Sequence, residues 1–288
     1  MMKKILKYLS ILLPLIVAFG LAILIPLMLA VAYYSSYFYA GLISNYILGN
    51  SKISISDLFL NLPDITNKLV SIVTFGLPLI WAILFFFWYR HLTKNEKVTK
   101  IKVFKFKNII IIALVALGYQ LATTGLMAFI MPYFPQLTEQ YTELMGDLFD
   151  LNPLLVFISV VILAPLSEEM IFRGVVMKKA LGFTSFAVAN IIQALCFAIF
   201  HGNLVQGVYT FFAGLAMGYI AYKFKTLVAS IVFHMFFNVI SYFVIEPTTT
   251  LNMAIYTLIG IIIAVVALRL VRKVGKGHVY VPEIDTLA

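Results

Sequence analysis

Residues 153–177 read PLLVFISVVILAPLSEEMIFRGVVM. The run is long and apolar enough to cross a hydrocarbon layer, which takes about 20 residues, yet it holds two adjacent carboxylates and a guanidinium. Seven further apolar stretches, near residues 11–36, 69–89, 109–131, 184–201, 205–222, 226–245 and 252–270, surround it in the 288-residue chain. The expected fold is therefore all-α, a polytopic membrane protein with about eight transmembrane helices. Composition agrees: 62% of residues are hydrophobic and only 11% charged, against about 25% charged in a soluble domain. A water-soluble enzyme is excluded. The single cysteine, Cys196, has no intrachain partner for a disulfide.

The net charge of +9 is first a topology signal. With both termini cytoplasmic, the inner segments hold every basic residue except Lys52, Lys68 and Arg173. The clusters are Lys3, Lys4 and Lys7, the run from Arg90 to Lys107, the pairs Lys178–Lys179 and Lys223–Lys225, and Arg269 to Lys276. That asymmetry predicts an integral protein of the cell membrane and removes the reason to expect nucleic acid as a partner. The basic start and the Ala30-Val31-Ala32 triplet imitate a secretory signal, but the apolar run exceeds a signal core, so an uncleaved anchor is expected. Segments 39–66 and 132–151 read as amphipathic outer connections. The expected organisation is an N-terminal membrane region, 1–149, with about three spans, a four-span core over 150–245, and a last span with a basic tail over 246–288.

Of the 12 acidic residues only Glu168 and Glu169 fall inside an expected span. An ionisable group in hydrocarbon costs roughly 3 kcal/mol or more, so such residues mark function by default. On a helix Glu169 and Arg173 stand at i and i+4 as an ion pair, while Glu168 is rotated about 100° away and stays available. Phe197 and His201 share one face of the fifth span with Asn190 and Ala194. His234 and Asn238 share one face of the seventh. A carboxylate can take a proton from water, an imidazole can orient that water, and amide and imidazole donors can stabilise an oxyanion. Those are the parts of a peptide hydrolase. Glutamate and histidine also bind zinc, so a metal held by Glu169, His201 and His234 with Glu168 as base is equally sensible chemistry. The residues leave both open: one divalent metal such as zinc, or none.

The three motifs, Glu168-Glu169 with Arg173, Phe197 with His201, and His234 with Asn238, resemble those of the intramembrane CAAX proteases and bacteriocin-processing enzymes, the type II CAAX or abortive-infection family. The resemblance covers about residues 150–245. It implies an intramembrane endopeptidase in which Glu168, assisted by His201, activates water. It further implies that His234 and Asn238 support the oxyanion or, in the metalloprotease description, that the histidines bind the metal. Glu169, Arg173 and Phe197 then hold the site together. The implied substrate is a membrane-associated protein or peptide, of CAAX type or of bacteriocin or signal-peptide type. Other intramembrane protease chemistries lack their reactive groups, since there is no His-Glu-x-x-His, no Gly-x-Ser-Gly and no aspartate in a span. A non-catalytic scaffold or immunity factor and a proton-coupled transporter are the alternatives. At 1.5 Å per residue His201 lies deeper than Glu168 or His234 from the basic ends of their helices, and a site open toward the cytoplasm is expected.

Overall fold

The computed structural model describes residues 2–47, 62–94, 103–149 and 151–274. Residues 48–61 of the expected outer segment 39–66, and the tail with Lys276 and His278, lie outside the described residues. In chain order the helices are α1 (Met2–Ile47), α2 (Leu62–Leu92), α3 (Phe106–Ile130), α4 (Pro135–Phe149), α5 (Pro153–Leu181), α6 (Phe186–Phe200), α7 (Leu204–Phe224), α8 (Leu227–Ser241) and α9 (Thr250–Val274). No strand occurs among the described residues.

Six helical segments are long and apolar enough to cross a bilayer: Leu9–Ala32, Thr74–Leu92, Phe106–Tyr133, Pro153–Leu181, Leu204–Phe224 and Thr250–Val274. Large apolar side chains such as Ile23, Met28, Phe87 and Ile262 are exposed on their outer faces. A surface of this kind is stable only against lipid, so the protein is integral to a membrane. The expected fifth and seventh spans differ from the other six. Helices α6 and α8 are 15 residues each, about 22 Å at 1.5 Å per residue against about 30 Å of hydrocarbon.

Local chemistry fixes both short helices. Ser185 accepts a hydrogen bond from the Val188 amide to start α6. Gly202, at φ +66°, ends it in a left-handed turn that glycine adopts without strain. Asn203 then caps α7 through the Gln206 amide. Thr226 starts α8 in the same manner. Both α6 and α8 begin at the end of the bundle that carries Lys178, Lys179, Lys223 and Lys225, and both stop short of the far end.

Two close crossings set the helices around them. Between α3 and α9 a Cβ on Gly118 would overlap the backbone of Gly260 and Ala264, and one on Gly260 would overlap the backbone of Ala122. This glycine-mediated contact needs no polar group, because small residues let backbones approach. Between α6 and α7, a Cβ on Gly214 would stand 3.1 Å from the Ala194 Cβ and 3.3 Å from Arg173 Nη2. The small-residue face of Gly214 and Gly218 thus packs against α6, which bears Phe197, and close to Arg173 of α5.

Candidate active site

Helix α5 is not uniformly α-helical. Ser159–Leu163 and Met170–Val176 are π-helical turns flanking the α-helical segment Ala164–Glu169, and such turns often occur at functional sites. The segment between them ends on the two glutamates. Glu169 is fully buried, and Glu168 keeps 15% of its side chain exposed. Arg173 Nη1 donates to Glu169 Oε1 at 2.8 Å, the i, i+4 pair expected from the sequence. Arg173 Nη2 donates to the Gly214 carbonyl at 3.2 Å. The guanidinium carbon lies 4.5 Å from the centroid of the Phe197 ring, a cation–π contact.

His234 stands between the glutamates. Its Nδ1 lies 3.1 Å from Glu169 Oε1 and its Nε2 3.7 Å from Glu168 Oε2. With Glu169 as a carboxylate, which can only accept, Nδ1 carries the proton and donates it; Nε2 is turned to Glu168, beyond direct hydrogen-bond range. His201 follows the same logic. Its Nδ1 is 2.8 Å from the Phe197 carbonyl oxygen, so that nitrogen is the donor and Nε2 in the neutral ring is the acceptor. Phe197 is the hub, with its ring 4.7 Å from the His201 ring, 5.8 Å from that of His234 and 5.1 Å from that of Phe172. Asn238 Nδ2 donates to the Val160 carbonyl at 2.7 Å, within the first π turn, which leaves one amide N–H uncommitted to that bond.

Glu168, Phe197, His201, His234 and Asn238 line one cavity of about 520 Å³. Glu169 and Arg173 stand behind that lining. The excess depth of His201 is partly offset because its ring folds back one helical turn onto the Phe197 carbonyl. The opening differs from expectation. The lining continues to Met131, Tyr141, Met145, Tyr242, Val244 and Glu246, at the end remote from Lys178 and Lys225. The reason is the shortness of α6 and α8: both start at the basic end, and the space they do not fill lies at the other.

Residues 150–240, about a third of the chain, match the family described as type II CAAX prenyl endopeptidase Rce1-like. The match covers the stretch that carries all three motifs, Glu168-Glu169 with Arg173, Phe197 with His201, and His234 with Asn238. No curated protein and no solved structure matches the chain. The matched residues span α5 to α8, and α3 and α4 complete the cavity from outside them.

Of the possible metal ligands Glu169, His201 and His234, the first and last are paired directly. Glu169 lies 3.1 Å from Nδ1 of His234, while Nε2 of the same ring faces Glu168 at 3.7 Å. Glu169 therefore has the position of a group that orients an imidazole. Among the described residues no three His, Cys, Asp or Glu side chains are grouped to hold a metal ion. Cys196 is buried and does not line the cavity.

Several polar residues of this cavity were not singled out from the sequence. Gln120, Thr123 and Thr124 line it from α3, and Tyr209 and Thr210 from α7. Gln120 donates to Thr124 at 3.2 Å. Their signal was present, since polar residues at i, i+3 and i+4 in an apolar span form one face. Gln193 was also missed; its Nε2 donates to the Gly214 carbonyl at 2.9 Å, beside the bond from Arg173.

Proposed function

We propose that the chain is an intramembrane endopeptidase that hydrolyses a peptide bond in a membrane-associated protein or peptide. The observation that supports it is the convergence of Glu168, His201, His234 and Asn238 on one cavity. Glu168 is the base: it takes a proton from water as the water oxygen attacks the carbonyl carbon. His201 Nε2 accepts the water's second hydrogen bond and orients it. The uncommitted N–H of Asn238 stabilises the oxyanion, and His234, whose Nε2 faces Glu168, lines the same cavity. As the carbon–nitrogen bond breaks, Glu168 returns its proton to the leaving nitrogen. Glu169 holds the His234 ring by Nδ1, and Arg173 balances the Glu169 charge.

With the basic helix ends in the cytoplasm, the cavity opens on the outer face of the cell membrane. This supports an exported peptide or an extracytoplasmic segment as substrate over a cytosolic prenylated terminus.

The test is cleavage of fluorogenic membrane-peptide and CAAX-like substrates by the purified protein beside Glu168→Gln, with and without a chelator. Glu168→Gln is expected to lower turnover by about 10²–10⁴-fold with unchanged melting, and chelation to leave the rate unchanged. Full activity in the variant would end the assignment of Glu168 as base.

A further inference from the structure

A second cavity, of about 460 Å³, lies at the opposite end of the bundle, between the C-terminal ends of α2, α5 and α7 and the start of α8. Five cations line it: Arg90, Lys94, Arg173, Lys178 and Lys225. No aspartate or glutamate lines it. Arg90, Lys94 and Lys225 have no acidic partner among the described residues. The remainder of the wall is largely apolar, with Phe86, Met177, Leu181 and Leu227.

The positive-inside rule asks for basic residues at this end of the helices but not for their convergence on a cavity. A concave site with several cations and an apolar wall is matched by a ligand with an anionic head and a hydrocarbon body. Arg173 adds an independent sign. It is 2% exposed, and its Nε has no hydrogen-bond partner, so a buried donor of the cavity wall is left unsatisfied. The apolar wall separates two sources of phosphate, since a free phosphate ion has no use for it.

We propose that this pocket binds the phosphate headgroup of an anionic phospholipid from the leaflet at the basic end of the bundle, with an acyl chain along Phe86, Met177 and Leu181. The site stands apart from the peptidase cavity and does not depend on the chain being a protease. It meets the proposed catalytic machinery only through Arg173, whose Nη1 holds Glu169.

The experiment is native mass spectrometry of the full-length protein in detergent. Phosphatidylglycerol is titrated against phosphatidylcholine of the same acyl chains, with inorganic phosphate as a soluble competitor. Phosphatidylglycerol is expected to be retained preferentially. Arg90→Gln and Lys225→Asn, the latter chosen because asparagine tolerates the positive φ at 225, should each weaken it about fivefold, and together about 25-fold. Arg269→Gln with Arg272→Gln, which removes equal charge from the same end but outside the pocket, should leave binding within twofold. Equal retention of the two lipids would overturn the proposal. So would an equal loss in the Arg269 and Arg272 control, or no loss in the pocket variants, which wild-type-like melting would show to be folded. Displacement of the lipid by millimolar inorganic phosphate would overturn the lipid source.

Discussion

Removing the Arg173 guanidinium isolates the electrostatics of the buried network. In Arg173→Met the fully buried Glu169 loses the 2.8 Å donor that balances its charge, and the Gly214 carbonyl loses a donor at 3.2 Å. Methionine approximates the length of the arginine stem, so the packing term is small and the effect is that of an uncompensated buried charge. Breaking a buried pair from one side costs about 3–5 kcal/mol. For a chain of this size that is a fall in melting temperature on the order of 6–10 °C, at about 2 °C per kcal/mol. The double variant Glu169→Gln with Arg173→Met buries no unpaired charge. It should melt above Arg173→Met alone, with a coupling energy of about 1–3 kcal/mol in the cycle. The assay is thermal unfolding of the purified variants in one detergent, read by intrinsic fluorescence. A single variant within 2 °C of the parent, or a double variant whose loss is the sum of the singles, would refute the pairing as an electrostatic unit.

Asn238→Ala should lower kcat by about 10²–10³-fold with little change in KM, the signature of a donor used in the transition state; an effect on KM alone would remove it from the oxyanion site. Gly260→Ala places a Cβ on the backbone of Ala122 in α3, where no side chain can yield, and should cost about 1–3 kcal/mol in unfolding; unchanged stability would mean that α3 and α9 do not cross there. In oriented membrane vesicles, a membrane-impermeant peptide should be cleaved only when supplied to the face opposite the basic helix ends. Cleavage from the basic face would refute the direction of access.

The helices, their membrane setting and the i, i+4 pair of Glu169 and Arg173 were legible in the sequence, because each depends on composition or on spacing within one helix. Hydrophobicity over about 20 residues decides membrane residence, and the 3.6-residue period decides which side chains share a face. The motif residues were visible for the same reason: a charge in an apolar span stands out wherever the helix packs. Even the ends of α6 could be read, from Ser185 before it and Gly202 after it.

What the tertiary structure decided lies between helices. Sequence grouped Glu169, His201 and His234 with Glu168 and left open whether a metal joins them, but only packing shows that Glu169 takes the Nδ1 side of His234 while Glu168 faces Nε2. The π turns of α5 follow from no spacing pattern, and although the polar face of α3 is visible in its spacing, that it lines this cavity depends on how the helices meet. The direction of the opening also came from assembly. Residue counts gave the depths along straight helices, whereas the empty volume depends on which short helices stop first and what closes over them. The basic residues were read one loop at a time as a topology signal. Their convergence on a single pocket backed by Arg173 exists only once four helix ends are brought together, because a cavity is a property of the space between elements and not of any one of them.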